Sequence, residues 1–127
     1  MTTAVIYASK TGSTKKVAEY IASKINGTAI NVKEKIDLTE YDRIIIGSGV
    51  YGGKPAKAIS EFVRTNKSLL TTASLFLCCM LSDDKGDKQL EKIANELGMA
   101  DAIYFNKVKS QIGNDGSKLG IYISSLV

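Results

Sequence analysis

Short apolar runs alternate with amphipathic stretches along most of the chain. Five runs have the length and composition of buried strands, over residues 3–8, 28–32, 43–46, 74–81 and 102–105. Between most of them, apolar residues recur every three or four positions, as on the buried face of a helix. Strands that alternate with helices predict a parallel sheet with helices on both faces.

The predicted helices are marked by this spacing and by their ends. The first spans residues 13–26 and stops at an Asn-Gly pair. The second helix is expected to begin at Pro55, and the third ends before Gly98. A last short helix is expected to start at Ser117, although an alternating apolar pattern in the same segment also permits a strand. The segment 33–41 is too short and polar to predict a full crossover helix.

Right-handed crossovers place the five strands in the spatial order 2-1-3-4-5. In such a sheet, ligands bind beyond the carboxyl ends of the strands, where the order reverses between strands one and three. The chemistry should therefore follow Ala8, Ile46 and Leu81. We expect a single domain over residues 1–127, with a C-terminal helix that is short or incomplete.

Composition narrows the classes of function. The 127 residues include 17 Lys and Arg against 13 Asp and Glu, a net charge of +4 that favours anionic ligands or partners. The basic residues are spread out, which disfavours nucleic acid, and no apolar run predicts a transmembrane segment or a secretory signal. With no His and only the adjacent pair Cys78-Cys79, a zinc site or a disulfide is not expected. We therefore expect a cytoplasmic protein without a metal.

The turn after the first strand is rich in hydroxyl groups. Unpaired N–H groups at a helix N-terminus, together with short hydroxyl side chains, bind phosphate. An ordinary helix cap is the plainer interpretation, but the position after the first parallel strand favours a phosphate site. Neither a Walker A motif nor a G-x-G-x-x-G turn is present. The candidate residues are Ser9, Lys10, Thr11, Gly12, Ser13 and Thr14.

Two further segments complete the candidate site. Residues 47–54, expected to be a loop, contain four glycines around Tyr51, whose ring either contacts a ligand or packs over the sheet edge. After the fourth strand, Cys78 and Cys79 are expected to be buried, with no His to activate either thiol. The candidate residues in these segments are Ser48, Gly49, Val50, Tyr51, Gly52, Gly53, Met80, Leu81, Ser82 and Asp83.

Two of these motifs resemble a known family. The segment VIYASKTGSTKKVAEYIA resembles the first strand, the T/S-x-T-G-x-T phosphate loop and the first helix of flavodoxins, and YDRIIIGSGVYGG resembles their third strand. The similarity is especially close to the flavodoxin-like branch that includes menaquinone-dependent protoporphyrinogen oxidases. It implies an α/β, flavodoxin-like open parallel sheet and FMN as the cofactor.

The resemblance also implies roles for individual residues. The side chains of Ser9, Thr11, Ser13 and Thr14 would bond the phosphate, with backbone amides from Lys10, Gly12 and Ser13 and with the Lys10 side chain in solvent. Tyr51 would stack on the flavin or lie at its edge, and the backbone of residues 51–53 would bond its N5/O4 edge. Many flavodoxins have a second aromatic residue after strand four, where this chain has Met80, Leu81 and Ser82.

Two functions stay open. No acid–base pair stands out in the three segments, which favours an electron carrier that works with redox partner proteins. The alternative is an FMN-dependent oxidoreductase of the protoporphyrinogen oxidase or quinone reductase kind, acting on a small quinone or porphyrinogen. The missing second aromatic residue and the basic net charge favour the enzyme, whereas the short chain opposes it. A domain that has lost its cofactor also stays open.

Overall fold

The structure, a computed structural model, describes residues 2–10, 12–79 and 83–127, with residue 83 described by its backbone alone. Within these ranges the strands are β1 Thr3–Ala8, β2 Thr28–Asn31, β3 Arg43–Tyr51, β4 Lys54–Pro55, β5 Ser74–Cys78 and β6 Asp101–Phe105. The α-helices are α1 Ser13–Ile25, α2 Lys57–Thr65, α3 Asp83–Leu97, α4 Val108–Gln111 and α5 Lys118–Ser125. Leu38–Glu40 and Lys67–Leu69 form short 3₁₀ turns.

Five of these strands form a parallel sheet in the spatial order β2-β1-β3-β5-β6. This confirms the predicted order 2-1-3-4-5, since the remaining strand, β4, only pairs antiparallel with the end of β3. The register sets Ala8 beside Ser48, and Ser48 beside Leu77. The carboxyl ends of β1, β3 and β5 therefore lie next to one another.

The central strands send alternate side chains to two apolar clusters, one on each face of the sheet. On one face Ile44, Ile46 and Leu75 pack with residues of α2 and α3. On the other face Ile45 and Phe76 pack with residues of α1 and α5. Burial on both faces explains why these strands read as continuous apolar runs rather than as alternating ones. The expectation of helices on both faces is confirmed.

The third strand is longer than predicted. The glycines of residues 47–51 predict a loop. This prediction is wrong, because these residues continue β3. An ideal Cβ on Gly47 would lie within 2.7 Å of three atoms of the Phe76 ring, and one on Gly49 would lie 2.6 Å from the Tyr51 hydroxyl oxygen. These glycines make room for aromatic rings beside a strand.

The boundaries of two other elements differ from the prediction. Helix α2 begins at Lys57, because Pro55 belongs to β4, where it lies opposite Val50. A short edge strand tolerates proline because it does not need every N–H group for pairing. Strand β5 ends at Cys78 rather than at Leu81. Residues 80–82 lie outside the described residues.

The C-terminal region is held by side-chain hydrogen bonds that the sequence pattern did not indicate. The Ser117 hydroxyl caps α5 by accepting the Gly120 N–H at 3.1 Å, which fixes the tail as a helix. The side chain of Gln111 is buried, accepts the Leu119 N–H at 2.8 Å and donates to the Asn106 carbonyl at 2.5 Å. In the described ranges, no helix is long and apolar enough to cross a membrane.

Candidate functional site

The turn between β1 and α1 is built around a left-handed glycine. Gly12 has φ +89° and is the N-cap of α1, so the cap itself has no side chain to occupy the first N–H groups of the helix. The Gly12 N–H donates to the Ser9 hydroxyl oxygen at 2.9 Å, and its carbonyl accepts the Lys16 N–H at 3.0 Å. The turn therefore curls around a helix N-terminus, whose partial positive charge suits an anion.

The hydroxyl groups of this turn point in different directions. Thr14 is 2% exposed, and its side chain hydrogen-bonds the thiol of Cys78 at the end of β5. Ser13 is half-buried, and Thr11 lies outside the described residues. This hydrogen bond lowers the pKa of the thiol, so the Thr14 hydroxyl is the donor to the sulfur. A hydroxyl has a single proton, so Thr14 donates to an anion by rotating that proton away from Cys78.

The ends of β3 and β4 form a tight hairpin. Its two central residues, Gly52 and Gly53, have φ values of +59° and +79°, the left-handed pair typical of a type I′ turn. An ideal Cβ on Gly53 would lie 3.8 Å from the side-chain nitrogen of Gln89, so the hairpin tip approaches α3. Other residues would be strained at both turn positions.

Tyr51 joins the hairpin to the turn after β1. Its hydroxyl oxygen accepts the Lys10 N–H at 3.2 Å, and its ring lies against Gly49. The Lys10 ammonium group sits 4.7 Å from the centroid of the same ring, so this exposed side chain lies over Tyr51 rather than extending away from the fold. Two of the three predicted segments therefore meet at the carboxyl end of β1 and β3.

Ser48 and Val50 serve the hairpin itself. The Ser48 side chain is fully buried, donates to the Gly49 carbonyl at 2.7 Å and accepts the Ala56 N–H at 2.9 Å. It thus links the end of β3 to the start of α2. Val50 is half-buried opposite Pro55 and packs on the core. The linking role of Ser48 was not foreseen, because sequence alone does not place Ala56 beside it.

The third predicted segment is described only in part. Cys78 and Cys79 are free and pack on opposite faces of the sheet, as expected from their adjacency. The expectation that they are buried is wrong, since both are partly exposed at the end of β5. Met80, Leu81 and Ser82 lie outside the described residues. Asp83 is the first residue of α3, and its side chain is not described.

A family model described as a flavodoxin domain matches residues 4–112. The chain belongs to the flavodoxin domain family. The match includes β1 through β6, and with it the hydroxyl-rich turn and the Tyr51 hairpin. The family resemblance drawn from the two sequence motifs is confirmed.

Two relatives resemble this flavodoxin domain in sequence. An uncharacterized protein of Methanocaldococcus jannaschii is 37% identical over 95 residues, which are 68% of this chain and 63% of that protein. Protoporphyrinogen IX dehydrogenase (quinone) of Escherichia coli K12 is 27% identical over 79 residues, which are 57% of this chain and 44% of the enzyme. The matched stretch therefore spans less than two thirds of either relative.

Solved flavodoxin structures share the fold. Oxidised flavodoxin 2 from Bacillus cereus superposes with a TM-score of 0.67 at 16% identity, covering all of both chains. A flavoprotein from Lactobacillus acidophilus, determined in complex with FMN, has a TM-score of 0.66 at 22% identity, covering 88% of this chain and 96% of that one. At these identities the likeness shows the fold.

The thiol beside Thr14 stays protonated in this flavodoxin domain at neutral pH. Burial raises the pKa of Cys78 from 9.0 to about 12, against the opposing effect of the Thr14 hydrogen bond. Burial, together with the nearby Asp101, raises the pKa of Tyr122 from 10.0 to about 12. A neutral thiol is a poor nucleophile, so Cys78 supports the site by packing and by holding Thr14.

These two groups predict a loss of stability in alkali. The unfolded chain releases the Cys78 proton near pH 9, whereas the folded chain keeps it to about pH 12, so the free energy of unfolding falls as pH rises above 9. Tyr122 adds to the fall above pH 10. Urea unfolding at pH 8, 9 and 10 measures the effect, and Cys78→Ala should flatten the fall between pH 9 and 10. An equal fall in that variant would contradict the assignment.

Proposed function

We propose that this flavodoxin domain binds FMN and carries electrons one at a time between redox partner proteins. The observation that supports the proposal most directly is the contact between the hydroxyl-rich turn and the hairpin, where Tyr51 accepts the Lys10 N–H. FMN has two parts that suit this arrangement, a terminal phosphate and a flat apolar ring system. The relative complexed with FMN has the same fold.

The turn residues fit the phosphate. Gly12 is the left-handed N-cap of α1 and gives the helix no side-chain cap, and Ser13 is the first residue of that helix, so its N-terminus suits an anion. The Ser9 hydroxyl accepts from Gly12, which leaves its own proton to donate. We assign Ser9, Lys10, Thr11, Gly12, Ser13 and Thr14 to this part of the cofactor.

The hairpin residues fit the ring. In the structure the Lys10 N–H donates to a neutral hydroxyl oxygen, and a phosphate oxygen is a stronger acceptor for the same donor. In our proposal Tyr51 gives up this hydrogen bond and lays its ring against the flavin. The left-handed glycines at 52 and 53 let the hairpin backbone turn toward the flavin edge at little steric cost.

The remaining candidate residues contribute less directly. Gly49 and Val50 border Tyr51, and the buried side chain of Ser48 positions the hairpin. Met80, Leu81, Ser82 and Asp83 stay predicted neighbours of the ring. The bound flavin supplies the redox chemistry, while the chain binds it, orients it and limits its contact with water.

A reductive titration tests the carrier role. We expect the FMN-loaded chain to be reduced in two resolved one-electron steps, seen as a distinct spectrum at half reduction. Free FMN in the same buffer is the control, and it should change in a single step. A single two-electron step in the loaded chain would contradict the carrier role.

The second candidate function is an FMN-dependent oxidoreductase of the protoporphyrinogen oxidase or quinone reductase kind. Similarity to the Escherichia coli dehydrogenase favours it. So does the absence of an aromatic residue among Met80, Leu81 and Ser82, which leaves one ring face to a substrate. Multiple turnovers in which a porphyrinogen or another reductant reduces the flavin and a quinone reoxidises it would establish this function in place of the carrier.

A further inference from the structure

The charges of this chain are unevenly distributed along the sheet axis. The segments that follow the parallel strands, residues 9–16, 32–36, 52–57, 79–88 and 106–118, contain twelve lysines and five acidic residues. The rest of the chain contains five basic and eight acidic residues. These segments therefore sum to a formal charge of +7, and the rest of the sequence sums to −3.

We call the lysines of these segments the lysine rim, and contacts link several of the segments to one another. Lys10 lies over Tyr51, and Lys54 is the residue opposite Tyr51 across the hairpin. The Lys118 ammonium group lies 3.6 Å from the ring centroid of Tyr104. An ideal Cβ on Gly86, in the first turn of α3, would also meet this ring. The lysines of the rim are exposed, and the segments 9–16 and 52–57, which contain several of them, include candidate cofactor residues.

The type of basic residue indicates the type of contact. Every basic residue of the rim is lysine, whereas Arg43 begins β3 and Arg64 lies in the last turn of α2, away from the carboxyl edge. Arginine suits fixed, two-pronged recognition of a carboxylate, while lysine is a mobile, strongly hydrated point charge. Many exposed lysines spread over five segments suit a broad, transient encounter better than a tight small-molecule site.

We propose that the lysine rim is the docking surface for a redox partner protein whose contact face is acidic. The inference rests on the proposed function, because electrons enter and leave at the edge where the flavin would be held. The rim segments and the rest of the chain have opposite formal charges. This difference would also orient the protein, so that the rim turns toward an acidic partner before contact.

A test without cofactor separates this proposal from FMN binding. The flavin-free chain is titrated with an acidic [2Fe–2S] ferredoxin and, separately, with basic cytochrome c, while its backbone amide signals are followed by NMR. We expect the ferredoxin to shift amides of the rim and cytochrome c to leave them unchanged. Raising salt from 50 to 500 mM should weaken ferredoxin binding by about tenfold or more, because exposed charges are screened.

Two charge-matched variants locate the surface. The triple variant Lys57→Gln, Lys88→Gln, Lys118→Gln removes three charges from the rim, whereas Lys24→Gln, Lys67→Gln, Lys92→Gln removes three from the rest of the chain. We expect the rim variant to weaken ferredoxin binding on the order of tenfold and the other variant less than twofold. All six residues are exposed, so both variants should fold.

Three outcomes would overturn the proposal. The first is that the two triple variants weaken ferredoxin binding equally, and the second is that ferredoxin binding does not change with salt. The third is that the chain binds vesicles with one-third phosphatidylserine more tightly than it binds ferredoxin. The last would assign the rim to a membrane surface. If FMN fails to bind while the ferredoxin results hold, the docking surface stands and the cofactor assignment falls.

Discussion

Thr14→Val should lower the affinity of the chain for FMN by about 10- to 150-fold. This range corresponds to the roughly 1.5–3 kcal/mol that a hydrogen bond to a charged group contributes. Valine keeps the shape of a side chain that is only 2% exposed, but it removes the hydroxyl that hydrogen-bonds Cys78 and that we assign to the phosphate. Quenching of flavin fluorescence on titration measures the affinity.

Two controls make this result specific to the phosphate. Thr3 is also a buried threonine, whose hydroxyl accepts from Arg43 Nε at 3.1 Å at the opposite end of β1. Thr3→Val should leave FMN affinity within twofold of the unchanged chain. Riboflavin, which lacks the phosphate, should bind the Thr14 variant as well as it binds the unchanged chain. Equal losses of FMN affinity in the two variants would contradict the phosphate assignment.

Gly47→Ala should lower the free energy of unfolding by about 1–3 kcal/mol, the usual cost of overpacking a core. The added methyl group would lie within 2.7 Å of three atoms of the Phe76 ring, which is fully buried. Phe76 also packs near Phe105, with ring centroids 6.2 Å apart, so its ring has little room to move. Urea denaturation gives the size of the effect.

A matched substitution in the same strand should behave differently. At Gly49 the added methyl group meets the far end of the Tyr51 side chain, which is only half-buried and can swing outward. Gly49→Ala should therefore cost less stability than Gly47→Ala, while breaking the hydrogen bond between Tyr51 and Lys10. The Lys10 amide signal in an NMR spectrum reports that break. If the two substitutions lower the free energy of unfolding equally, contact with the neighbouring rings does not determine the cost of a methyl group at these positions.

The overall topology could be predicted because it depends on local patterns. Fully buried strands such as β1 are continuous apolar runs, and the four-residue spacing of Val17, Ile21 and Ile25 marks α1. The residue that ends α1, Asn26, has φ +56°, as its Asn-Gly pair suggests. Right-handed crossovers then restrict the strand order to few choices.

The full length of β3 was not predicted, because two of its glycines are explained by the packing of aromatic rings. Gly47 leaves room for the ring of Phe76, which is far away in the sequence, and Gly49 leaves room for the Tyr51 side chain, which folds back along the same strand. Ser48 was predicted to touch the cofactor from its place in the motif. That contact stays a prediction, and the structure adds that the Ser48 hydroxyl links Gly49 to Ala56.

The sequence predicted which segments come together, although not the contacts between them. Two of the three predicted segments, residues 9–14 and 47–54, meet at the carboxyl edge, because parallel strands end on the same side of a sheet. Individual side-chain directions depend on packing, so the Lys10–Tyr51 contact and the inward turn of Thr14 required the structure.

The central claim is that the turn at residues 9–14 holds the phosphate of FMN and thereby places the flavin beside Tyr51. The most direct measurement is titration of the flavin-free chain with FMN, followed by the backbone amide signals. The account predicts saturable binding of one FMN per chain, with the largest shifts at Lys10, Gly12, Ser13 and the 51–53 hairpin. Saturable binding with its largest shifts at another surface, or no binding at all, would contradict it.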